Sequence, residues 1–292
     1  MGVKTRLAFA ITALVAALAV GAWGLLSPSQ GTPRAPTASV PVQFPSPRPN
    51  PNVTQLPVIG PGWHLAFASS FAGPSLNSKV WTTCYPWAKT TPGCTNSGNS
   101  ELEWYLPSQV HLVHGVLNLV ATRKAVWGTS AKGRPKHYAC RSGMVTSFRG
   151  FNFKYGYVRI VARLTLNPGL WSALWLAASN FEWPPEIDIV ESWGLPWIRT
   201  GVYFHPRGAR GARIHLSPAD RARLTTGWHT FSLRWTRRYL AWFIDGRSVL
   251  IVHKNIPHQR MYLIANVADY SLRPPGSCNG TLLVKSIRVW QR

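Results

Sequence analysis

Short apolar runs separated by polar turns dominate the chain from Gly62 onward. Several runs alternate apolar and polar side chains, as in a β-strand with one buried face. The predicted strands are Val116–Thr122, Tyr157–Leu166, Thr200–His205, Trp228–Trp235, Tyr239–Asp245, Met261–Val267 and Leu282–Trp290. Asp245-Gly246 is a typical β-hairpin turn between two of them. Ser217–Leu224 is the one short helix expected, with Ser217 as N-cap. Many short strands without intervening helices favour an all-β antiparallel sandwich or barrel.

Two segments precede this strand-rich region. Residues 1–26 carry Lys4 and Arg6 ahead of an uncharged stretch, which fits either a cleaved signal peptide or an uncleaved membrane anchor. Residues 27–60 hold nine prolines and no acidic residue, the composition of an extended linker that cannot build a core. We therefore expect the domain of residues 61–292 to lie outside the cytoplasm, secreted or anchored to the membrane.

All the cysteines fall within this domain, at Cys84, Cys94, Cys140 and Cys278. An even number of cysteines in an exported protein predicts two disulfides, for which three pairings exist. Cys84 and Cys94 bracket a short loop rich in Pro, Gly and Thr, which favours their pairing and leaves Cys140 with Cys278. A zinc site is disfavoured because no CxxC or HxxxH spacing is present.

The net charge of the 292-residue chain is unusually positive. Lys and Arg number 32 against nine Asp and Glu, which gives +23. Such a charge raises nucleic acid, a membrane surface or an acidic polysaccharide as partners. The excess arises mainly from missing acids, however, and no run of five basic residues occurs. We therefore interpret the charge as a surface property and expect no nucleic-acid partner and no membrane contact beyond the N-terminal segment.

Three of the nine acids cluster within Trp183–Gly194, which reads WPPEIDIVESWG. Isoleucine and valine lie between them, so the segment is a predicted strand. Glu186 and Asp188 share one face, whereas Glu191 would point to the opposite face of a regular strand. One extra residue in a β-bulge at Ile189-Val190 would bring all three carboxylates onto one face.

Such a row of acids has several interpretations. An exposed acidic strand edge is one, but carboxylates repel each other and this chain avoids acids elsewhere. A calcium site is another, although no Asn/Asp/Gly loop adjoins the cluster. Cleavage of a glycosidic bond requires paired carboxylates: one attacks the anomeric carbon, and the other protonates the leaving oxygen and later activates water. A third acid can tune its neighbours by sharing a proton. The 15 tryptophans fit this interpretation because their flat faces stack on sugar rings.

The segment EIDIVE resembles the ExDxxE signature of glycoside hydrolase family 16, in the form typical of its laminarinases, agarases and carrageenases. From about Trp63 to Arg292, further segments resemble family motifs in the family's order. They are Phe67–Trp81, Glu101–Tyr105 (ELEWY), Gly115–Leu119, Ser142–Ser147, Tyr155–Leu164, Gly169–Leu176, His229–Gly246 and Ile287–Gln291. The resemblance implies a concanavalin-like β-jelly roll, in which two curved antiparallel sheets form a substrate cleft on the concave face.

Residue roles also follow from the resemblance. It makes Glu186 the nucleophile, Asp188 an assisting acid and Glu191 the general acid/base, with retention of anomeric configuration. Candidates for substrate binding are Trp171, Trp175, Trp183, Trp104, Trp193, His205 and Asn266. Each tryptophan could instead pack in the core. Trp171 and Trp175 share a strand face because they are four residues apart.

The chain departs from the family pattern at positions that matter for metal binding and specificity. Pro185 replaces the usual Gly before the first catalytic Glu, and 268–271 replaces a cleft-shaping GGxW segment. Neutral or basic residues stand where family members often carry acids that hold calcium: Ser69, Ser70, Asn77 and Lys285. We therefore expect neither a calcium site nor another cofactor.

We predict a monomeric, retaining endo-acting β-glycan hydrolase with β-1,3-glucan as the first expected substrate. A galactan or anionic polysaccharide is the second, which the +23 charge would suit. Transglycosylation is an alternative outcome, because a sugar can intercept a covalent glycosyl-enzyme in place of water. A non-catalytic carbohydrate-binding protein of the same fold is a different class. Such proteins typically lack the paired glutamates, which this chain retains.

Overall fold

The computed structural model describes residues 59–292 except 89–92, 168, 195–198, 225 and 271–277, together with the backbone but not the side chain of Arg199. The expected signal or anchor segment, residues 1–26, lies outside the described residues, as does the linker up to residue 58. No helix in the described part of the chain is long and apolar enough to cross a membrane.

The described residues form nineteen strands and little helix. The strands are β1 His64–Ser69, β2 Glu103–Tyr105, β3 Val110–Val113, β4 Val116–Ala121, β5 Val126–Thr129, β6 Pro135–Tyr138, β7 Cys140–Ser142, β8 Met144–Thr146, β9 Asn152–Phe153, β10 Gly156–Arg163, β11 Leu170–Ala178, β12 Glu186–Trp193, β13 Arg199–His205, β14 Ala212–His215, β15 His229–Trp235, β16 Leu240–Ile244, β17 Arg247–Val252, β18 Met261–Asp269 and β19 Gly280–Gln291. The helices are α1 Pro218–Arg223 and two 3-10 turns, Ser97–Asn99 and Pro107–Gln109.

Two large antiparallel sheets make the sandwich. The eight-stranded sheet runs β17-β16-β15-β10-β19-β4-β3, with β1 also paired to β19. The seven-stranded sheet runs β14-β13-β12-β11-β18-β8, with β9 also paired to β18. Two small pairs complete the fold, the parallel β2–β7 and the antiparallel β5–β6. The predicted jelly-roll sandwich is confirmed.

The main core lies between the two large sheets, and the alternating pattern of the strands explains how it forms. On β19, for example, Leu282, Val284, Ile287 and Val289 are buried, whereas Lys285 between them is exposed. Trp235 and Trp242 are wholly buried in the same core. Burying a large apolar side chain contributes about 1.5–3 kcal/mol, so this layer supplies much of the stability.

A second, smaller apolar cluster covers part of the opposite face of the seven-stranded sheet. Residues 84–88 and 93–105 cover part of β11 and β18, where Tyr85 and Tyr105 pack against Trp175 and Tyr262. The face over β12 and β13 is more open, and the His205 side chain there is 44% exposed. The covering segment therefore shapes one wall of a cleft.

Several local predictions are confirmed. Asp245 and Gly246 both have positive φ, 48° and 81°, as the predicted hairpin turn requires. Ser217 caps α1, and its hydroxyl accepts a hydrogen bond from the Asp220 backbone N–H at 3.1 Å. The disulfides join Cys84 to Cys94 and Cys140 to Cys278, which is the pairing that the sequence favours.

Candidate active site

Strand β12 carries the acidic row and contains the expected bulge. Its register shifts between Asp188 and Glu191 against β13, and between Asp188 and Val190 against β11. The apolar residues Ile187, Ile189 and Val190 are buried in the main core. The extra residue therefore brings Glu186, Asp188 and Glu191 onto the face that looks away from that core.

Glu186 is the most accessible of the three carboxylates, with its side chain 19% exposed. The indole Nε1–H of Trp183 donates a hydrogen bond to its Oε2 at 3.1 Å. His205 Nε2 lies 3.7 Å from its Oε1. Burial raises the pKa of Glu186 to about 7, the Trp183 hydrogen bond opposes this, and the charge of Glu101 adds to it. Trp183 is itself 68% exposed, so its ring is free to contact a ligand.

Asp188 lies between the two glutamates and is only 2% exposed. Its Oδ2 makes no hydrogen bond within the described residues, and His205 Nε2 is 3.6 Å away. Burial, followed by the charges of Glu191 and Glu186, raises the pKa of Asp188 well above its usual value. The Asp188 backbone carbonyl accepts a hydrogen bond from Trp242 Nε1 at 2.9 Å, which fixes the bulge to the eight-stranded sheet.

Glu191 is 7% exposed, and its Oε1 accepts a hydrogen bond from Trp171 Nε1 at 3.0 Å. Trp171 stacks on Trp193, with ring centroids 5.0 Å apart and planes 22° from parallel. Burial and the charge of Glu186 raise the pKa of Glu191 well above its usual value, although the Trp171 hydrogen bond lowers it. A half-buried tryptophan pair therefore flanks Glu191, while Trp183 flanks Glu186 at the other end of the row.

Burial raises the pKa of all three carboxyl groups of the row, but the groups differ in exposure. Glu186 is the most exposed of the three, and burial raises its pKa to about 7, whereas burial raises the pKa of Asp188 and of Glu191 well above their usual values. Burial lowers the pKa of His205, so its imidazole is neutral near pH 7. The strand thus presents three carboxyl groups on one face, and a pair of carboxyl groups on one face is what cleavage of a glycosidic bond requires.

The same residues also offer a donor set for a metal. Ligand atoms of Glu186, Asp188 and His205 lie within 4.8 Å of one another. Binding would require Asp188 to give up its proton, which burial opposes. The family's calcium position is also poorly suited to a cation. The sequence resemblance places Lys285 there, and its ammonium lies 5.9 Å from the centre of the Trp228 ring. Because an ammonium group cannot coordinate a metal, this residue does not fit calcium.

Two predicted substrate contacts lie beneath the cleft surface. Trp175 is 7% exposed and Asn266 2% exposed. Trp175 Nε1 donates to Asn266 Oδ1 at 2.8 Å, and Asn266 Nδ2 donates to the Tyr105 hydroxyl at 2.9 Å. Because their polar groups are satisfied by each other, these side chains support the floor of the cleft.

Trp104 needs a correction, because it does not line the cleft. Its side chain is 5% exposed and lies between Gly93 and Gly128. A Cβ atom at either glycine would clash with the indole ring. The glycines leave just enough room for the ring to be buried, so Trp104 offers no face on which a sugar could stack.

Sequence reasoning missed two buried acids near the site, Glu101 and Glu103. Glu101 accepts hydrogen bonds from the Tyr85 hydroxyl at 2.9 Å and from Asn99 Nδ2 at 3.0 Å. Burial raises the pKa of both acids, and for Glu103 the charge of Glu101 raises it further. The signal was available in ELEWY, where two of only nine acids fall within three residues.

Comparisons with known proteins agree with this geometry. The family model described as Glycosyl hydrolases family 16 matches residues 105–271. The chain is 29% identical over 210 residues to the endo-1,3-1,4-beta-glycanase EglC of Rhizobium meliloti, covering 68% of this chain and 44% of the relative. It is 26% identical over 234 residues to the glucan endo-1,3-beta-glucosidase A1 of Niallia circulans, covering 75% of this chain and 32% of the relative.

A solved structure gives the same result at the level of the fold. The laminarinase catalytic domain of Thermotoga maritima superposes with a TM-score of 0.66 at 25% identity, covering 79% of this chain and 98% of that one. The chain spans less than half the length of the curated relatives it matches. The family model covers more than half of this chain and includes the bulged acidic strand, so this protein belongs to glycoside hydrolase family 16.

Proposed function

We propose that this chain is a retaining endo-β-glycan hydrolase that cleaves β-1,3-glucan. The observation that carries the proposal is the alignment of Glu186, Asp188 and Glu191 on one face of a bulged strand. The names of the relatives, which include an endo-1,3-1,4-beta-glycanase and a glucan endo-1,3-beta-glucosidase, support the substrate class.

In the first step, the Glu186 carboxylate attacks the anomeric carbon of a bound sugar. Glu191 gives its proton to the glycosidic oxygen, so the bond from that oxygen to the anomeric carbon breaks and the leaving sugar departs as an alcohol. The product of this step is an ester between the remaining glycan and Glu186, with the anomeric configuration inverted. The hydrogen bond from Trp183 holds Glu186 in place and favours its ionised form.

In the second step, the Glu191 carboxylate accepts a proton from water, and the resulting hydroxide oxygen attacks the same carbon. Glu186 leaves as a carboxylate, and the second inversion restores the original configuration. Asp188 stays protonated between the glutamates and can share its proton with whichever of them carries the charge. A sugar hydroxyl in place of water would give transglycosylation.

An exposed aromatic ring at one end of the acidic row and a half-buried pair at the other end support sugar binding. Trp183 lies beside Glu186, with its ring centroid 6.2 Å from that of His205. The stacked rings of Trp171 and Trp193 lie beside Glu191. We infer that Trp183, Trp171 and Trp193 form stacking surfaces for sugars on the two sides of the cleaved bond, and that His205 orients Glu186 and Asp188.

The catalytic assignment is tested with Glu186→Gln and Glu191→Gln on laminarin. Each variant should lower kcat by several orders of magnitude while keeping the thermal unfolding midpoint near or above that of the unmodified protein. Azide should restore turnover of Glu186→Ala and yield a glycosyl azide of inverted configuration. Asp220→Asn, which changes an exposed acid on α1, is the control. Near-native turnover of Glu186→Gln would contradict the assignment.

A panel of β-1,3-glucan, mixed-linkage glucan, galactans and acidic polysaccharides tests the substrate. Endo cleavage should give a ladder of oligosaccharides from the first minutes, and monosaccharide release alone would contradict it. Binding of β-1,3-glucan without cleavage at any pH would favour the non-catalytic alternative.

We also propose that the protein is an exported monomer, with residues 1–26 as signal peptide or anchor, 27–60 as linker and 61–292 as catalytic domain. The two disulfides support a location outside the cytoplasm. N-terminal sequencing of the mature protein, together with its distribution between membrane and medium, tests this organisation. A mature chain that begins near residue 27 would establish that the signal peptide is cleaved. Light scattering would give the mass of the protein in solution, which should be that of a monomer.

A further inference from the structure

A cavity of about 700 Å³ opens at the end of the sandwich where β12 begins. Four connections line it: those before β12, after β13, between β15 and β16, and between β17 and β18. Both large sheets therefore contribute to it. None of the three carboxylates lines the cavity, although Pro185 in its wall directly precedes Glu186.

Positive charge predominates in the lining. Arg207, Arg237 and Arg238 line the cavity, and Glu182 is the single acid among its described lining residues. Glu182 Oε2 lies 2.6 Å from Arg207 Nη2, so that pair is neutralised. Within the described residues, no carboxylate pairs with Arg237 or Arg238. Two adjacent exposed guanidinium groups thus face the cavity without a counter-ion.

The rest of the protein cannot readily supply that counter-ion. Five of the nine acids are buried, namely Glu101, Glu103, Asp188, Glu191 and Asp269. Of the more exposed acids outside the acidic row, Asp245 contacts His229 at 2.8 Å and Asp220 accepts a hydrogen bond from the Ser217 hydroxyl at 2.7 Å. An anion from outside is therefore the natural partner of the two arginines. A guanidinium can donate two parallel hydrogen bonds to a carboxylate or sulfate.

The position of the cavity connects it to the cleft. The loop that supplies Glu182 and Pro185 also carries Trp183, the hydrogen-bond donor to Glu186. Arg207 follows two residues after His205, which lies 3.7 Å from Glu186. The arginines therefore border the Glu186 end of the acidic row, beyond the end of the strand. A group projecting from a sugar bound over Glu186 would extend toward the arginines of the cavity.

We propose that this cavity binds a carboxylate or sulfate substituent of the glycan, so that the preferred substrate is an acidic β-glycan. The inference rests on the proposed function, because it assumes that a glycan occupies the cleft beside Glu186. The guanidinium groups of Arg237 and Arg238 bind the anionic group, and Arg207 keeps the neighbouring loop in place through Glu182.

Binding is measured on the Glu186→Gln background, so that the result does not depend on turnover. The ligands are one β-1,3-glucan and its lightly carboxymethylated and lightly sulfated forms of equal chain length. The pocket variant adds Arg237→Gln and Arg238→Gln. The control variant instead adds Arg247→Gln and Arg288→Gln, which remove the same charge from exposed positions on β17 and β19. Thermal unfolding checks that each variant is folded.

We expect at least one acidic form to bind more tightly than the neutral glucan. The ratio of acidic to neutral affinity should fall about tenfold or more in the pocket variant, since a charged hydrogen-bond partner is lost, and stay within about twofold in the control. An equal fall in both variants would overturn the inference, because general surface charge would then explain the preference. Equal binding of the acidic and neutral glucans without the arginine changes would also overturn the inference. If the ratio falls as expected but the unmodified protein cleaves no β-glycan, the proposed catalytic function fails and the anion site stands.

Discussion

The proposed nucleophile should cost the protein stability at neutral pH, and Glu186→Gln should reveal that cost. Glu186 titrates near 4.5 in an unfolded chain and near 7 in the folded protein, because burial disfavours its charged form. The folded protein therefore holds this proton more tightly, and folding weakens as the pH rises between these two values. The change from 4.5 to about 7 corresponds to roughly 3 kcal/mol, at about 1.4 kcal/mol per tenfold change in proton affinity.

Glutamine has no proton to lose, and its side-chain oxygen can still accept the hydrogen bond from Trp183. Below about pH 4, the free energy of unfolding of the variant should therefore follow the same pH dependence as that of the unmodified protein. By pH 8, it should exceed that of the unmodified protein by up to about 3 kcal/mol. For a domain of this size, that is roughly a 6–12 °C rise in the midpoint of thermal unfolding. The variant should at the same time be inactive.

The measurement is urea unfolding of both proteins, with disulfides intact, at half-unit steps from pH 4 to pH 8. Glu182→Gln is a control of opposite sign. The Arg207 hydrogen bond lowers the pKa of Glu182, so its contribution to stability is present at neutral pH and lost on acidification. If the difference between Glu186→Gln and the unmodified protein stayed constant across this range, burial would not perturb Glu186, and the reasoning about its ionisation would be refuted.

Three further predictions concern catalysis, cross-linking and metals. The pH profile of kcat/KM should be bell-shaped, with an acidic limb near pH 7 as Glu186 ionises and a basic limb as Glu191 loses its proton; a flat profile from pH 5 to 8 would contradict these roles. Replacing Cys140 and Cys278 by alanine opens a loop of 138 residues and should lower the free energy of unfolding by up to about 5 kcal/mol, measured in urea against the unmodified protein. EDTA and millimolar calcium should leave both activity and the unfolding midpoint unchanged, because Lys285, at the position where the family resemblance implies an acidic ligand, cannot coordinate a metal; a calcium-dependent rise of several degrees would show that other ligands rebuild the site.

The acidic strand could be predicted in detail because its sequence contains a conflict. Carboxylates two and five residues apart cannot all share a face of a regular strand, and the apolar residues between them must reach the core. Only a bulge at Ile189-Val190 satisfies both requirements, and both neighbouring strands show it. Local periodicity was sufficient here, because the constraint lies within six residues.

The environment of the tryptophans could not be predicted in the same way. Trp104 is buried because Gly93 and Gly128 leave room for its ring, and neither glycine carries a sequence signal of that contact. Trp175 and Asn266 are 91 residues apart, yet their mutual hydrogen bond decides that they support the floor of the cleft. Burial of an aromatic ring depends on which distant segment covers it, and strand patterns do not carry that information.

The position of the last two strands in the topology has a consequence for how the chain is made. β18 pairs with β11 inside the seven-stranded sheet, and β19 pairs with β10, β4 and β1 inside the eight-stranded sheet. During synthesis from the N-terminus, neither sheet can close before β18 and β19 have emerged, and earlier strands keep unpaired edges until then. A chain cut just before β19 would keep the seven-stranded sheet intact but leave β10, β4 and β1 without their shared partner, with open edges prone to pair with other chains.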